Sequence, residues 1–194
     1  TERCRPYLSV EDYEVYEKQR TLGTYLQRRE YALAEELFQE IEKQLPQNIA
    51  KNRQFCLSMY GIIENRLGRM TWEERLQCLE ESIKCTIPDY EKISLAQWTL
   101  CRQEVILLNS IANTYARMGD VNRALQILSD IINFYENSEV DILNDIETIT
   151  MTIYNYTEWM GNCGKYAETI ELYEKAIRMN VRVGRGKGLG GLLY

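Results

Sequence analysis

Apolar and small residues recur along this chain at helical spacing, and two stretches repeat each other 45 residues apart. Each stretch is centred on a glycine, Gly119 in the first and Gly164 in the second. The repeated positions are Ile111, Ala112, Tyr115, Ala124, Leu128 and Ile131 in the first stretch, and Tyr156, Thr157, Met160, Thr169, Tyr173 and Ala176 in the second. Apolar residues three and four apart share one face of a helix, and a glycine between two such runs indicates a turn. Each stretch therefore predicts two helices joined by a tight turn.

The N-terminal half contains two weaker copies of this pattern. They are formed by Tyr25, Glu30, Tyr31, Ala34, Phe38 and Ile41, and by Ile62, Ile63, Met70, Thr71, Trp72, Leu79 and Ser82. In the second copy Met70 stands at the turn glycine and Arg75 at the position of a small residue. Four such units predict an all-α fold, a right-handed α–α superhelix of about four helical hairpins. Arrays of this kind usually bind other chains and seldom carry chemistry.

Capping residues and prolines set the predicted limits of the helices. Thr71 and Glu74 form a clear capping box, and Pro46 ends the second helix because proline cannot continue it. Further caps are predicted at Ser9-x-x-Asp12, at Asp120 and at Ser138-x-x-Asp141. The predicted helices span about residues 9–29, 31–45, 47–67, 72–85, 88–118, 121–136, 138–161 and 166–179. The stretch 88–118 is unusually long for one helix of a repeat.

The predicted organisation is a lead-in over residues 1–14, a helical repeat domain over 15–180 and a glycine-rich connection over 181–194. Five of the eleven glycines lie between positions 184 and 191. One interpretation is a phosphate cradle, since glycine lets backbone amides approach an anion. The Gly-Lys-Ser/Thr ending of a nucleotide loop is missing, however, and no strand precedes it. A connection into a truncated further helix explains the pattern better.

The repeated pattern resembles the tetratricopeptide repeat (TPR). The matching residues are Ala112, Tyr115, Gly119, Asp120 and Ala124 in the third unit, and Gly164, Lys165, Tyr166, Tyr173 and Ala176 in the fourth. The usual unit has about 34 residues, whereas the spacing here is between about 41 and 49 residues. The resemblance covers roughly residues 15–180 and implies longer helices or connections than usual.

Charge and apolar runs exclude two classes of function. The formal net charge of −6 argues against direct DNA binding by this chain, because such affinity comes largely from neutralising phosphates. No apolar run approaches the roughly 20 residues that span a bilayer, and the N-terminus has no signal segment. We therefore expect a cytoplasmic protein with no membrane contact.

The cysteine and histidine content limits the metal sites and catalytic functions that the chain can have. The chain has six cysteines at irregular spacings and no histidine, so we expect neither zinc nor any other metal or cofactor. Reduced, buried thiols that behave as small apolar side chains are the expected state. The commonest general base is absent, and paired carboxylates lie on predicted solvated helix faces. We expect no catalytic residues and no enzyme activity.

Asparagines on the first helices of the hairpins are the candidate binding residues. Asn109 and Asn113 share one helical face, which we expect to line a groove with Arg117, and Asn155 lies on the next first helix. A carboxamide matches the donor and acceptor of an extended peptide backbone. The TPR resemblance implies this role for Asn113 and Asn155. The predicted peptide site comprises Asn109, Asn113, Arg117, Asn155, Tyr60 and Tyr154. Alternatively, these asparagines are solvated without a role and the tyrosines belong to the core.

A narrower resemblance comes from the stretch around Gly119 to Ser138, with its run Phe134, Tyr135 and Glu136. It resembles the TPR sensory domain of bacterial helix-turn-helix regulators of the XRE type, such as the PlcR and Rgg regulators. That family implies binding of a short signalling peptide, a homodimer, and DNA contact only through a preceding domain that is absent from this chain. The alternative is a passive scaffold that docks a folded partner protein and has no role in transcription.

Overall fold

The computed structural model describes residues 13–90, 99–137 and 142–183, and within these ranges the chain forms eight α-helices and no strand. The helices are α1 (Tyr13–Gln27), α2 (Tyr31–Gln44), α3 (Ala50–Arg66), α4 (Trp72–Lys84), α5 (Arg102–Arg117), α6 (Val121–Asn137), α7 (Ile142–Asn162) and α8 (Tyr166–Val183). They divide between two compact units, Thr1–Tyr90 with α1–α4 and Glu91–Tyr194 with α5–α8. The predicted repeat domain over residues 15–180 covers helices of both units. The predicted all-α class and its helical hairpins are confirmed.

Each hairpin is closed by one residue with a left-handed backbone. These residues are Arg29 (φ 61°), Gly68 (φ 74°), Gly119 (φ 97°) and Gly164 (φ 79°). The next residue in each case donates its N–H to the carbonyl five positions earlier, at 2.9–3.1 Å. This pattern is the Schellman motif, which satisfies carbonyls left free at a helix end. The expectation that Met70 occupies the turn position is therefore wrong, because Gly68 does.

The local signals at helix starts are confirmed where the structure describes them. Thr71 Oγ1 accepts from the Glu74 N–H at 3.2 Å, and Glu74 Oε2 accepts from the Thr71 N–H at 2.8 Å. Asp120 Oδ1 accepts from the Arg123 N–H at 3.0 Å at the start of α6. The caps predicted at residues 9–12 and 138–141 and the connection from 184 onward lie outside the described residues.

Three predicted helix limits are wrong. The continuous helix over 88–118 does not form, because residues 99–101 are not helical and α5 begins at Arg102. There the Glu104 carboxylate accepts from the Cys101 N–H at 2.8 Å, so a cysteine stands where a capping box usually has serine or threonine. Helix α3 begins at Ala50 because Asn52 Nδ2 donates to the Pro46 carbonyl at 3.1 Å and holds a turn. Helix α8 continues to Val183 instead of ending near residue 179.

Small residues sit where the helices of a hairpin cross. Ala34 and Ala124 are fully buried on α2 and α6. Thr169 takes this position on α8, where its hydroxyl donates to the Lys165 carbonyl at 2.7 Å. Arg75 takes it on α4, buried with its guanidinium 5.2 Å from the Trp72 ring and 3.2 Å from Asn65 Oδ1. Both departures from the repeat pattern are accommodated because the Thr169 hydroxyl and Arg75 Nη1 each have a hydrogen-bond partner.

Each unit has its own apolar core. The core of the first unit is formed by Val15, Leu22, Ala34, Phe38, Ile41, Leu45, Phe55, Cys56 and Ile63. Buried apolar side chains of the second unit include Val105, Leu108, Ile111, Ala112, Leu128, Ile131, Ile146, Ile153 and Met160. Among the helices of the described ranges, none is both long and apolar enough to cross a membrane.

Gly61 is a close-packing point between α3 and α4. A Cβ at this position would lie 2.9 Å from Cβ of Cys78. We expect Gly61→Ala to lower the free energy of unfolding by about 1–3 kcal/mol, because overpacking outweighs the gain of roughly 1 kcal/mol in helix propensity. Guanidinium denaturation followed by far-UV circular dichroism measures the change.

Gly23→Ala in α1 is the matched control, because no described atom lies within 4 Å of its added Cβ. The control variant should keep or slightly raise the stability. Equal stability changes in the two variants would show that α3 and α4 do not meet at Gly61.

Candidate functional site

Helices α5 and α7, the first helices of the last two hairpins, meet along a line of polar side chains. Asn109, Asn113 and Arg117 follow one another every four residues on α5, so they share one face. On α7 the facing residues are Thr152, Asn155 and Trp159, spaced by three and four. We call these six residues the polar seam. They contact one another across the two helices by the bonds described next.

Asn109 is the centre of the polar seam and is only 2 % exposed. Its Nδ2 donates to the Val105 carbonyl and to Thr152 Oγ1, both at 2.9 Å. Its Oδ1 accepts from Asn155 Nδ2, also at 2.9 Å. Thr152 Oγ1 in turn donates to the Thr148 carbonyl at 2.9 Å. A buried network whose members are satisfied in this way holds two helices in a fixed register.

Trp159 connects the C-terminal half of the polar seam. Its Nε1 donates to Asn113 Oδ1 at 2.8 Å. The guanidinium of Arg117 lies 5.6 Å from the centroid of the indole ring, within cation–π distance. The indole ring is largely buried, whereas Arg117 is exposed and Asn113 is half-buried. Asn113 and Arg117 are therefore held by Trp159 and still contact solvent.

Tyr154 lies beside the polar seam on α7 and is 37 % exposed. The Glu158 carboxylate, partial burial and Tyr173 together raise the pKa of its phenol above the usual value. The hydroxyl therefore stays protonated at neutral pH and can donate a hydrogen bond. At the other end of α5, Arg102 Nη2 lies 3.4 Å from Glu147 Oε2 and joins the same two helices.

The structure brings together four of the six predicted binding residues, Asn109, Asn113, Arg117 and Asn155, and places Tyr154 next to Asn155. Tyr60 lies on α3 of the first unit, where it is 47 % exposed. The expectation that Asn109 points into an open groove is wrong, because α7 covers it. The part that these residues play in peptide binding stays a prediction.

Sequence reasoning missed that Thr152 and Trp159 hold the asparagines. Thr148, Thr152, Asn155 and Trp159 recur every three or four residues along α7, so they share one face of the helix. This spacing alone does not distinguish a face that a neighbouring helix covers from a face that is open to solvent. In the ranges that the structure describes, no three His, Cys, Asp or Glu side chains group together as metal ligands.

A model of the RNPP family C-terminal domain matches residues 24–194. The chain belongs to the RNPP family. This match confirms the predicted resemblance to the TPR-like sensory domains of RNPP-family regulators. RNPP C-terminal domains and TPR-like folds are regulatory and binding modules, so this RNPP domain is not an enzyme.

Comparison with solved structures supports the fold. One similar structure, from Podosopora anserina, shows the nearly identical TPR-like repeats of a protein described as a kinesin light chain. It has a TM-score of 0.57 and 14 % sequence identity, over 93 % of this chain and 82 % of the other. At this identity the likeness concerns the fold alone. None of the curated proteins matches the sequence.

Cys101, at the start of α5, has an unreactive environment. Burial and the neighbouring Glu104 carboxylate raise the pKa of its thiol to about 11. The other free thiols of the described residues include Cys163 in the turn between α7 and α8, which is exposed. The expectation of generally buried thiols is therefore wrong for Cys163.

We expect Cys101 to react with iodoacetamide at pH 8 about 100-fold more slowly than a thiol of ordinary pKa, because only the thiolate attacks. Cys163→Ser removes the exposed thiol, and peptide mass spectrometry then follows Cys101 apart from the other cysteines. Labelling of Cys101 in native protein as fast as in urea would contradict its burial and raised pKa.

Proposed function

We propose that this RNPP domain binds a short oligopeptide in extended conformation along α5 and α7. The observation that carries the proposal is the pair Asn113 and Asn155. Each carboxamide uses one of its two polar groups within the protein and leaves the other without a partner among the described residues. A peptide backbone offers the matching N–H and C=O groups.

Exposed side chains next to this pair supply the remaining contacts. Tyr154 offers a rigid ring with a protonated hydroxyl, a type of side chain enriched in binding sites. Arg117 provides a positive charge that suits a carboxylate of the ligand. Tyr60, exposed on α3 of the first unit, stays a separate prediction.

Peptide binding would act on transcription through a partner domain. The negative charge of this chain suits a sensor better than a DNA reader. In the proposed mechanism the chain forms a homodimer in the cytoplasm, and bound peptide changes the populations of two arrangements of its helical hairpins. DNA contact is made by a helix-turn-helix domain outside this sequence.

A second candidate function is docking of a folded partner protein. It is favoured by Tyr166, Ile170 and Val181 on α8, which are all more than half exposed. Apolar side chains exposed on one helix are typical of a protein interface. In this case α8 would carry the affinity, and the polar seam would be structural.

We expect a random pool of acetylated, amidated hexapeptides to yield binders to the full chain. For the best binder, Asn113→Ala and Tyr154→Ala should each weaken the affinity about tenfold, since each removes a hydrogen bond made to the ligand. Isothermal titration calorimetry measures the affinities.

Asn133→Ala is the matched control, because Asn133 is an exposed asparagine on α6 of the same unit. It should bind the peptide as tightly as the unaltered chain. Equal affinities of all four proteins would refute the site. If the pool yields no binder, and Ile170→Asp abolishes capture of one stoichiometric protein, docking through α8 is the function.

A further inference from the structure

The polarity of an asparagine side chain depends on its partners. The oxygen and nitrogen of a carboxamide are almost the same size, so either can face a given direction. When the protein forms a hydrogen bond with one of these two groups, the other group is left to face a ligand. In the polar seam, the partners that fix the orientation of each carboxamide are groups that can only donate or only accept a hydrogen bond.

Asn109 has one orientation that satisfies its neighbours. The Val105 carbonyl can only accept a hydrogen bond, so it requires Nδ2 of Asn109. Thr152 Oγ1 gives its own hydrogen to the Thr148 carbonyl, so towards Asn109 it can only accept as well. Both contacts place Nδ2 of Asn109 on the same side. The Oδ1 atom of Asn109 must therefore face Asn155.

This orientation fixes Asn155 in turn. Because Asn109 presents an oxygen, Asn155 must present Nδ2, which donates at 2.9 Å. The Oδ1 atom of Asn155 has no partner among the described residues and is not one of their fully buried unpaired atoms. Asn155 thus displays an acceptor.

The carboxamide of Asn113 has the opposite orientation, with its oxygen bonded within the protein. The indole Nε1 of Trp159 can only donate, so it requires Oδ1 of Asn113, at 2.8 Å. The amide nitrogen of Asn113, with both of its hydrogens, has no partner among the described residues. Asn113 thus displays a donor.

We propose that Asn109 is a positioning residue that presets the polarity of Asn155, so that a bound peptide meets an acceptor on α7 beside the donor that Trp159 fixes on α5. Asn155 Oδ1 accepts one backbone N–H of the ligand, and Asn113 Nδ2 donates to one ligand carbonyl. Because the two groups lie on different helices, this arrangement admits one direction of the peptide chain. Asn109 itself touches no ligand. The ligand contacts in this inference rest on the proposed peptide function, whereas the orientation of the asparagine side chains does not.

The geometry is tested without any ligand. In the full chain labelled with 15N, we expect the Nδ2 hydrogens of Asn109 and one Nδ2 hydrogen of Asn155 to exchange slowly with solvent, and both of Asn113 to exchange fast. Asn109→Leu keeps the size and removes the anchor, so exchange at Asn155 should rise to that of Asn113. Fast exchange at Asn155 in the unaltered chain would overturn the proposal.

The ligand consequence is tested with the best hexapeptide of the random pool and its ester variants, in which one backbone N–H at a time is replaced by oxygen. Replacement of the N–H at one position should weaken binding about tenfold, because that N–H donates to Asn155 Oδ1. In Asn109→Leu this position-specific loss should fall below about threefold, since Asn155 is then free to turn.

Thr152→Val is the matched control for stability. It removes one partner of Asn109 but keeps the Val105 carbonyl, so the polarity and the tenfold ester loss should remain. A purely structural role of Asn109 would weaken all ester variants equally and leave the position-specific loss unchanged, which overturns the proposal. If no hexapeptide binds, the proposed function fails, while the exchange measurement still decides the polarity.

Discussion

The left-handed residue at the end of each first helix is the constraint on which the structure depends. It lets the chain reverse within three to five residues, and the next residue directs its N–H back to the carbonyl five positions earlier. Glycine adopts this backbone at no steric cost in three of the four turns. The turns bring the second helix back along the first, which buries the apolar stripe of both. The buried helix crossings of each unit follow from this reversal.

The polar seam is a contact between two helices that also holds residues of the proposed peptide site. Asn109 and Thr152 are buried and satisfied within the protein, so they contribute register rather than affinity. Asn113, Arg117 and Tyr154 lie at the margin, where each is held on one side and open on the other. Groups prepared in this way lose little conformational freedom on binding, which favours affinity.

The chemistry of the chain agrees with a sensor that recognises and does not transform its ligand. The sequence has no histidine, and in the described ranges the seam is built from neutral amides, one hydroxyl and one indole beside Arg117. Such groups donate and accept hydrogen bonds but transfer no proton at neutral pH. Membership of the RNPP family shows that the domain is a regulatory and binding module. The exposed apolar residues of α8 form the surface of the alternative proposal, the docking of a partner protein.

The sequence alone determined the features that depend on a few neighbouring residues. Gly119 and Gly164 predict the turns, and Thr71 with Glu74 predicts the start of α4, because backbone sterics and capping bonds act locally. The tertiary structure decided the features that depend on a second helix. The burial of Asn109 is one of these, since a polar residue facing outward and one covered by a neighbouring helix have the same spacing. The left-handed backbone of Arg29 is another, because α1 and α2 must still pack together where no glycine is present.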